Sequence, residues 1–135
     1  MVRRLTPNYT VGAVAVIRDE HDRVLLVRQH HRTGWSLPGG LTGRHEEPQQ
    51  AAAREVWEEV GIRLNPEELK PTYPSARVNA YSQQVDVIFT VTVASDLQLR
   101  PDPAEIRLVE WHAVDELPRL TGPTEQVLRL CGVMP

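Results

Sequence analysis

Hydrophobic residues in the first third of the chain fall into short runs, separated by polar, glycine-rich or proline-rich segments. Residues 11–17 and 24–27 are apolar and rich in β-branched residues, which predicts two buried strands. The polar turn at residues 19–22 predicts that these strands form a hairpin. Residues 29–34 are polar and predict a loop, and residues 37–40, Leu-Pro-Gly-Gly, predict a break in regular structure.

The clearest helical pattern lies in residues 48–60, which begin with a proline and are followed by a glycine. Proline favours the first turn of a helix and glycine favours its end. At about 100° per residue, Glu55, Glu58 and Glu59 fall within one arc of the helix surface. The roughly opposite arc is apolar and predicts the face that packs on the core: Ala53, Val56, Trp57 and Val60.

Strand-like and polar segments alternate through the rest of the chain. Residues 77–94 are rich in Val, Thr and Ile and predict two strands or one long bent strand, and residues 106–112 predict another. Residues 64–74 and 96–102 predict irregular connections. Residues 121–130 predict a helix capped by its first threonine, with a proline in its first turn. Strands, helix, strands and helix in this order predict a mixed sheet covered by helices, an α/β (α+β) fold.

Composition and charge narrow the class of protein. The 135 residues suit one domain spanning residues 1–135, and 41% of them are hydrophobic, which is enough for a core. Cys131 is the single cysteine, and the basic residues 1–7 are not followed by an apolar leader or a membrane span, so we expect a cytoplasmic protein. A net charge of −3 favours neither nucleic acid nor an anionic membrane as a partner.

The three carboxylates on the predicted helix admit two interpretations. They form a solvated acidic face, as such charge clusters often do, with a repulsion of roughly a few tenths of a kcal/mol per pair. Alternatively, they hold a hard divalent cation, since Mg²⁺ and Mn²⁺ prefer carboxylate oxygens. The helical spacing by itself leaves both interpretations open.

The residues around the helix give these carboxylates a context. Residues 40–62 read GLTGRHEEPQQAAAREVWEEVGI, with Gly, Glu, Arg-Glu, Glu-Glu and Gly at fixed intervals. This segment resembles the signature of the Nudix hydrolase family at every defined position. The resemblance implies a Nudix-like α/β/α sandwich with a mixed central β-sheet. It also implies a divalent-metal-dependent pyrophosphohydrolase, an enzyme that cleaves a phosphoanhydride bond.

The resemblance also implies roles for single residues. Glu58 and Glu59 match the family's principal metal ligands, Glu55 matches a third, and Gly40 matches a region that supplies a backbone carbonyl to the metal. The implied cofactor is Mg²⁺ or Mn²⁺. Arg54 matches an arginine that orients a glutamate through an ion pair.

Other residues near the helix are candidates for supporting the loop and binding substrate. By resemblance, Glu46 holds the preceding loop against the helix. Gly39 carries no Cβ, so its backbone can approach substrate phosphates closely. Arg28 and Arg32, together with two neighbouring histidines, form the best local site for phosphate in a net-acidic chain, because arginine makes bidentate phosphate contacts. A mobile polar loop is the alternative interpretation of this basic cluster.

A carboxylate outside the motif is the candidate general base. Glu105 lies in the loop just before the predicted strand at residues 106–112, where many family members place a base or an extra metal ligand. A solvated loop residue is the alternative interpretation. Glu110 competes for the role, but it lies in the middle of the strand, where alternation turns its side chain away from the site.

The loop within the motif departs from the family. Many members carry a glutamate and a glycine where this chain has Gly43 and His45. The departure predicts an altered loop and removes an extra carboxylate ligand at Gly43. Among the aromatic residues, Trp35 predicts packing in preference to stacking on a base. Three other aromatic residues lie in predicted strands or next to them, so we expect them to make core or cross-strand contacts. They are Tyr73, Tyr81 and Phe89.

The leading functional hypothesis is a hydrolase acting on a nucleoside diphosphate linked to another group. A nucleoside or deoxynucleoside triphosphate is the preferred substrate subclass, and ADP-ribose and dinucleoside polyphosphates are alternatives. The alternative from another class is a Nudix-fold nucleotide sensor without catalytic activity, but such modules usually lose motif carboxylates that this chain keeps. The expected partners are a small nucleotide and a second copy in a homodimer, with no nucleic acid and no membrane.

Overall fold

The computed structural model describes residues 6–135, so part of the basic start that informed the expectation of no leader lies outside the described residues. Within them, neither helix combines the length and hydrophobicity needed to cross a bilayer. The strands are β1 (Thr10–Arg18), β2 (Val24–Gln29), β3 (Gly39–Leu41), β4 (Lys70–Asn79), β5 (Gln84–Thr92) and β6 (Ile106–His112). The helices are α1 (Pro48–Val60) and α2 (Gly122–Leu130).

The strands form one mixed sheet. Their order is β4-β5-β1-β2-β6, and the short strand β3 also pairs with β1. β1 and β5 are parallel, whereas the pairs β1–β3, β4–β5 and β2–β6 are antiparallel. α1 packs on one face of this sheet and α2 on the other. The predicted α/β/α sandwich with a mixed central sheet is therefore confirmed.

Alternation along the strands builds a hydrophobic core on each face of the sheet. Ala13, Ala15 and Ile17 of β1 face α1, where they pack with Val56 and Val60. The opposite face forms a second core beneath α2. Its buried residues are Val16, Val24, Leu26, Trp35, Leu37, Ile88, Val127 and Leu128. Both faces of the sheet are thereby shielded from water.

The first two strands begin as a hairpin and then separate. β1 and β2 pair antiparallel where Arg18 lies opposite Val24, next to the predicted turn. Beyond this point residues 36–41 insert between them. Ser36 exchanges two backbone hydrogen bonds with Val27 of β2, at 2.8 and 2.9 Å, and β3 pairs with β1. The hairpin prediction is confirmed at its turn, and the inserted segment brings the glycine pair into the sheet.

The expected break in regular structure at residues 37–40 is wrong in its second half, because strand β3 begins at Gly39. Pro38 has no N–H, yet its carbonyl accepts a hydrogen bond from the N–H of Ala15 at 2.9 Å. A Cβ built at Gly39 would lie 2.4 Å from the carbonyl oxygen of Ala13. The glycine therefore permits the close approach of two strands, where the sequence pattern predicted a break in regular structure.

Both ends of α1 coincide with the predicted bounds, Pro48–Val60. Glu47 is the N-cap and forms a capping box with Gln50, whose side-chain oxygen accepts from the Glu47 N–H at 3.0 Å. Gly61 ends the helix with a φ of 78°, a left-handed conformation that glycine adopts without a Cβ clash. Strong start and stop residues explain why this element was predictable.

The core face of α1 differs from the prediction at one residue. Trp57 was expected in the core, but it is 43% exposed and lies beneath the guanidinium of Arg63, 4.4 Å from the ring centroid. Ala52 and Glu59 are buried instead. The other residues predicted on this face are buried: Ala53, Val56 and Val60. Burial of a glutamate in place of a tryptophan already marks this part of α1 as unusual.

The segment after α1 is more regular than predicted. Residues 64–74 were expected to be irregular, but they contain a 3-10 turn at Pro66–Glu68 and the start of β4, where Lys70 pairs with Thr90. β4 is an edge strand, and an edge position tolerates its two prolines. Two separate strands, β4 and β5, confirm the first of the two alternatives for residues 77–94.

The remaining elements agree with the prediction, but two of the three aromatic residues expected to pack do not. β6 has its predicted bounds, and α2 has Thr121 as N-cap, although its hydroxyl bonds Thr124 at 2.9 Å and not a helix N–H. Phe89 is buried as expected. Tyr73 and Tyr81 contradict the expectation of packing, because each is almost fully exposed.

Candidate active site

A buried carboxylate lies where α1 meets the glycine pair of β3. Glu59 is only 1% exposed and accepts hydrogen bonds from the Gly39 N–H, with distances of 3.2 and 3.3 Å to its two oxygens. Glu55, one helical turn earlier, lies against Gly40. A Cβ built at Gly40 would come within 2.7 to 2.9 Å of the Glu55 carboxyl atoms, so this contact needs a residue without a side chain. The motif helix and the glycine pair therefore form one unit.

Arg54 connects the motif loop to these carboxylates. Its guanidinium donates to Glu46 at 2.8 and 3.0 Å, to Glu55 at 2.8 Å and to Glu58 at 3.2 Å. It also donates to the carbonyl of Leu41 at 3.1 Å. These contacts match the ion-pair role that the resemblance implies for Arg54, and they show how Glu46 ties the loop to the helix.

Burial and mutual repulsion govern the charge of this cluster. The pKa of Glu59 is raised to about 8, chiefly by burial and also by the nearby carboxylates of Glu55, Glu105 and Glu58, while the hydrogen bond from Gly39 opposes the shift. Burial also raises the pKa of Glu55, although Arg54 partly opposes the shift. A buried acid surrounded by other acids is an electrostatically strained arrangement that a cation would relieve.

The candidate base, Glu105, lies close to this cluster. It occupies the turn before β6, as predicted, and its charge contributes to the raised pKa values of Glu55 and Glu59. The competitor Glu110 pairs with Leu26, whose side chain belongs to the core beneath α2. Paired residues of an antiparallel ladder point to the same face, so Glu110 faces away from α1.

The donor set suits a hard divalent cation. Its side chains contribute oxygen atoms only, and the buried carboxylate of Glu59 has a backbone N–H as its partner and, among residues 6–135, no cationic side chain. Within residues 6–135, no three acidic, histidine or cysteine side chains are already gathered as a metal shell. Arg54 bonds Glu55 and Glu58, so their oxygens are directed towards its guanidinium. The residues fit Mg²⁺ or Mn²⁺ in chemistry and charge.

The two departures within the motif loop have structural correlates. The N–H of Gly43 donates to Glu46 at 2.7 Å. The pKa of Glu46 is lowered mainly by its hydrogen bonds with Arg54 and to a smaller extent by this bond from Gly43. His45 is exposed and has a φ of 62°, the left-handed region that favours glycine. The loop therefore keeps a backbone geometry suited to glycine while carrying a histidine.

A cavity of about 520 Å³ opens beside the glycine pair, between the sheet and the start of α2. Gly39, Gly40 and Arg32 line it, but Arg28 lies outside its wall. Its volume is in the range of small-molecule sites. The predicted packing of Trp35 is confirmed, since the ring is 9% exposed and meets His112 edge-on, with centroids 4.9 Å apart.

Two charged residues of the cavity wall were missed by the sequence reasoning. Arg77 of β4 and Asp86 of β5 form an ion pair at 2.9 Å, and each side chain is 8% exposed. A signal for them was present, because Asp86 is a lone carboxylate within the otherwise apolar run of β5. Interior strand positions hold charge rarely unless it is paired.

Comparison with known proteins shows the family to which this chain belongs. A model of the NUDIX domain matches residues 8–131. The chain belongs to the Nudix hydrolase family. This Nudix hydrolase is 40% identical over 122 residues to a putative 8-oxo-dGTP diphosphatase of Bacillus subtilis, covering 87% of this chain and 76% of that protein. It is 30% identical over 131 residues to a MutT-like protein of Streptomyces ambofaciens, covering 86% and 80%.

The solved structures agree with this assignment. A MutT Nudix hydrolase from Burkholderia pseudomallei superposes with a TM-score of 0.76 at 27% identity, covering 92% of this chain and 98% of that one. Nudix hydrolases act on nucleoside diphosphate-linked substrates and are generally dependent on divalent metals. Membership of the family thus establishes the enzyme class, while the roles of single residues stay predictions.

Proposed function

We propose that this Nudix hydrolase cleaves a phosphoanhydride bond of a nucleoside or deoxynucleoside triphosphate, or of a related nucleotide, with Mg²⁺ or Mn²⁺ as cofactor. The observation that supports this proposal best is the buried carboxylate of Glu59, which lies near Glu55, Glu58 and Glu105 and has no cationic partner among the described residues. Such a cluster is unfavourable alone and becomes favourable with a divalent cation and a polyanionic substrate.

The proposed cofactor site consists of Glu55, Glu58, Glu59 and the backbone carbonyl of Gly40. A divalent cation held there supplies charge neutralisation for the substrate phosphates and lowers the pKa of a coordinated water. Arg54 holds Glu55 and Glu58 in place through its hydrogen bonds. The N–H of Gly39 does the same for Glu59.

Glu105 is the proposed general base. It lies on the turn before β6, near enough to Glu55 and Glu59 for its charge to affect their pKa values. It is exposed, so its carboxylate can accept a proton from the attacking water and release it to solvent. A Glu105→Gln change is expected to lower kcat by about 10² to 10⁴, with a smaller effect on KM.

The substrate subclass is proposed from the relatives and the cavity. One relative is named for a nucleoside triphosphate derivative, 8-oxo-dGTP. The cavity of about 520 Å³ adjoins Gly39 and Gly40, so a nucleoside there would direct its phosphates towards the carboxylate cluster. Arg32 lines the same cavity and is the proposed phosphate contact, whereas Arg28 remains a weaker candidate.

A turnover screen tests this proposal. The four dNTPs, 8-oxo-dGTP, ADP-ribose and a dinucleoside polyphosphate are incubated with the protein and Mg²⁺ or Mn²⁺, and the products are identified by mass. We expect hydrolysis of a triphosphate, with loss of activity by orders of magnitude in Glu58→Gln and Glu59→Gln. Glu67→Gln, at an exposed carboxylate on the 3-10 turn, is the matched control and should keep full activity.

The screen also separates the alternatives. Preferred turnover of ADP-ribose or of the dinucleoside polyphosphate would overturn the triphosphate assignment while keeping the class of reaction. A protein that binds nucleotides without turning any over would be a sensor, and the proposal of catalysis would then be wrong.

A further inference from the structure

A buried ion pair forms part of the wall of the nucleotide-sized cavity. Arg77 and Asp86 lie opposite each other on β4 and β5, and the guanidinium donates to the carboxylate at 2.9 Å. Arg77 also donates to Gln126 of α2 at 2.8 Å, and Gln84 donates to Asp86 at 2.7 Å. All of these side chains except Gln126 line the cavity. The network fixes the position and orientation of both charged groups.

The ion pair lies close to the glycine segment of the candidate active site. A Cβ built at Gly12 of β1 would meet an Asp86 oxygen at 2.6 Å and the carbonyl oxygen of Gly40 at 3.4 Å. Asp86 therefore lies over Gly12, directly beside the strand that carries Gly40. A ligand with its phosphates at the carboxylate cluster would place its other end in this part of the cavity.

The pair retains unused hydrogen-bonding capacity. The Nε of Arg77 is buried, and among residues 6–135 it has no hydrogen-bond partner. Each Asp86 oxygen accepts one hydrogen bond in the network and keeps a second lone pair. A buried donor without a partner is unfavourable, so the wall is suited to a ligand that supplies an acceptor next to hydrogen-bond donors.

We propose that Arg77 and Asp86 determine base specificity and select a guanine-type base. This inference rests on the proposed nucleotide substrate. Among the common bases, guanine alone presents two adjacent donors, N1–H and N2–H, beside an acceptor, O6. The two donors suit the two oxygens of Asp86, and O6 suits the free N–H of Arg77. Adenine, cytosine and thymine each lack the second adjacent donor and leave part of the wall unpaired.

A purely structural ion pair is the competing explanation, and the chain offers a matched control for it. Asp19 is also fully buried and pairs with Arg23 at 2.7 Å, but it lies in the β1–β2 turn outside the cavity. An Asp19→Asn change removes a buried, paired carboxylate just as Asp86→Asn does. A structural role predicts lower stability for both variants and no change in base preference for either.

The test is equilibrium binding of dGMP, dAMP, dCMP and dTMP by titration calorimetry, in the presence of Mg²⁺. We expect the wild-type protein to bind dGMP at least about tenfold more tightly than the others. Asp86→Asn should weaken dGMP binding by about tenfold or more and shift preference towards dAMP, because a carboxamide pairs with one donor and one acceptor. Asp19→Asn should keep the wild-type preference.

Arg77→Lys provides a second test if Asp86→Asn fails to fold. Lysine keeps the positive charge beside Asp86 but lacks the Nε–H donor, so we expect a smaller preference for dGMP, with thermal denaturation used to verify that the variant is folded. Equal binding of all four nucleotides by the wild-type protein would overturn the inference. An equal loss for all four in both variants would also overturn it, since that pattern indicates contact with phosphate or sugar.

Hydrolysis measured alongside separates this inference from the proposed function. Guanine-selective binding without turnover of any triphosphate would support the base-reading role of Arg77 and Asp86 and overturn the proposed catalysis. Turnover of all four dNTPs with equal kcat/KM would leave the catalysis in place and overturn the base-reading role.

Discussion

Glu59 occupies an environment that disfavours its own charge. The folded protein holds its pKa at about 8, whereas its ordinary value is 4.5. In the absence of metal, the folded state therefore binds this proton more tightly than the unfolded state does. Stability from this group is fully present below about pH 4.5 and is lost as the pH rises through 8.

The first prediction follows from the upward shift of the Glu59 pKa, which makes the folded protein less stable as the pH rises. In metal-free buffer, the wild-type protein should lose up to about 1.4 kcal/mol of unfolding free energy per pH unit between pH 5 and 8 through Glu59. Glu59→Gln cannot ionise, so it should lack this component and exceed the wild type in stability at pH 8. Thermal denaturation of both proteins from pH 5 to 9 in EDTA checks it. Parallel stability profiles would show that Glu59 is not the buried acid responsible.

His45 is the subject of a second prediction at this scale. Its φ of 62° is strained for a histidine, so His45→Gly should raise the free energy of unfolding by up to about 1 kcal/mol, with the larger freedom of glycine in the unfolded chain as an offset. Chemical denaturation measures the change. Arg44→Gly, at an exposed neighbour outside the left-handed residues, is the control and should show no gain.

At the scale of elements, the end of α1 is held by a tight contact as well as by backbone conformation. A Cβ at Gly61 would lie 2.7 Å from the Cβ of Arg100 and 3.0 Å from its backbone nitrogen and oxygen. Because the backbone of Arg100 also bonds Val60 at 2.8 Å, this contact aligns the last turn of the helix that carries Glu58 and Glu59.

The third prediction tests that contact. Gly61→Ala should lower the free energy of unfolding by about 2 to 5 kcal/mol, since left-handed strain of about 1 to 2 kcal/mol adds to an overpacking contact of about 1 to 3 kcal/mol. Gly132→Ala is the matched control, because Gly132 has the same φ of 78° with open space around it. Equal losses in the two variants would mean that contact with Arg100 contributes nothing.

Some elements could be predicted from the sequence more accurately than others. α1 was predictable to the residue because Pro48 and Gly61 act locally. β3 was not, since its strand conformation comes from pairing with β1, a contact distant along the chain. The start of β4 was missed for the same reason, because Lys70 is held by its pairing with Thr90 in a segment with little alternation.

The candidate site shows the same limit. Glu55, Glu58 and Glu59 were found because they lie on one helix at local spacing. Arg77 and Asp86 were missed because their proximity depends on the pairing of two strands. The local sequence pattern of β4, which contains two prolines, does not indicate such a pairing.

At the scale of the whole molecule, the cofactor is expected to stabilise the fold. A ligand that binds the folded state alone raises the midpoint of thermal unfolding. We predict that Mg²⁺ or Mn²⁺ raises the midpoint of the EDTA-treated protein, and more at pH 8 than at pH 6, since protons compete with the metal for carboxylates. Differential scanning calorimetry measures both shifts. Glu59→Gln should respond less, and an unchanged midpoint in the wild type would contradict the proposed site.

The proposed catalytic residues and the proposed base-recognition residues lie on opposite faces of the sheet. Helix α1 and its carboxylates lie on one face of the sheet, while Arg77, Asp86 and the start of α2 enclose the cavity on the other, joined through the glycine pair of β3. Substitutions in the β4–β5 hairpin can therefore alter the ligand without disturbing the helix. In evolutionary terms, a lineage built on this scaffold can change its substrate by drift in one hairpin, while selection keeps the motif helix constant.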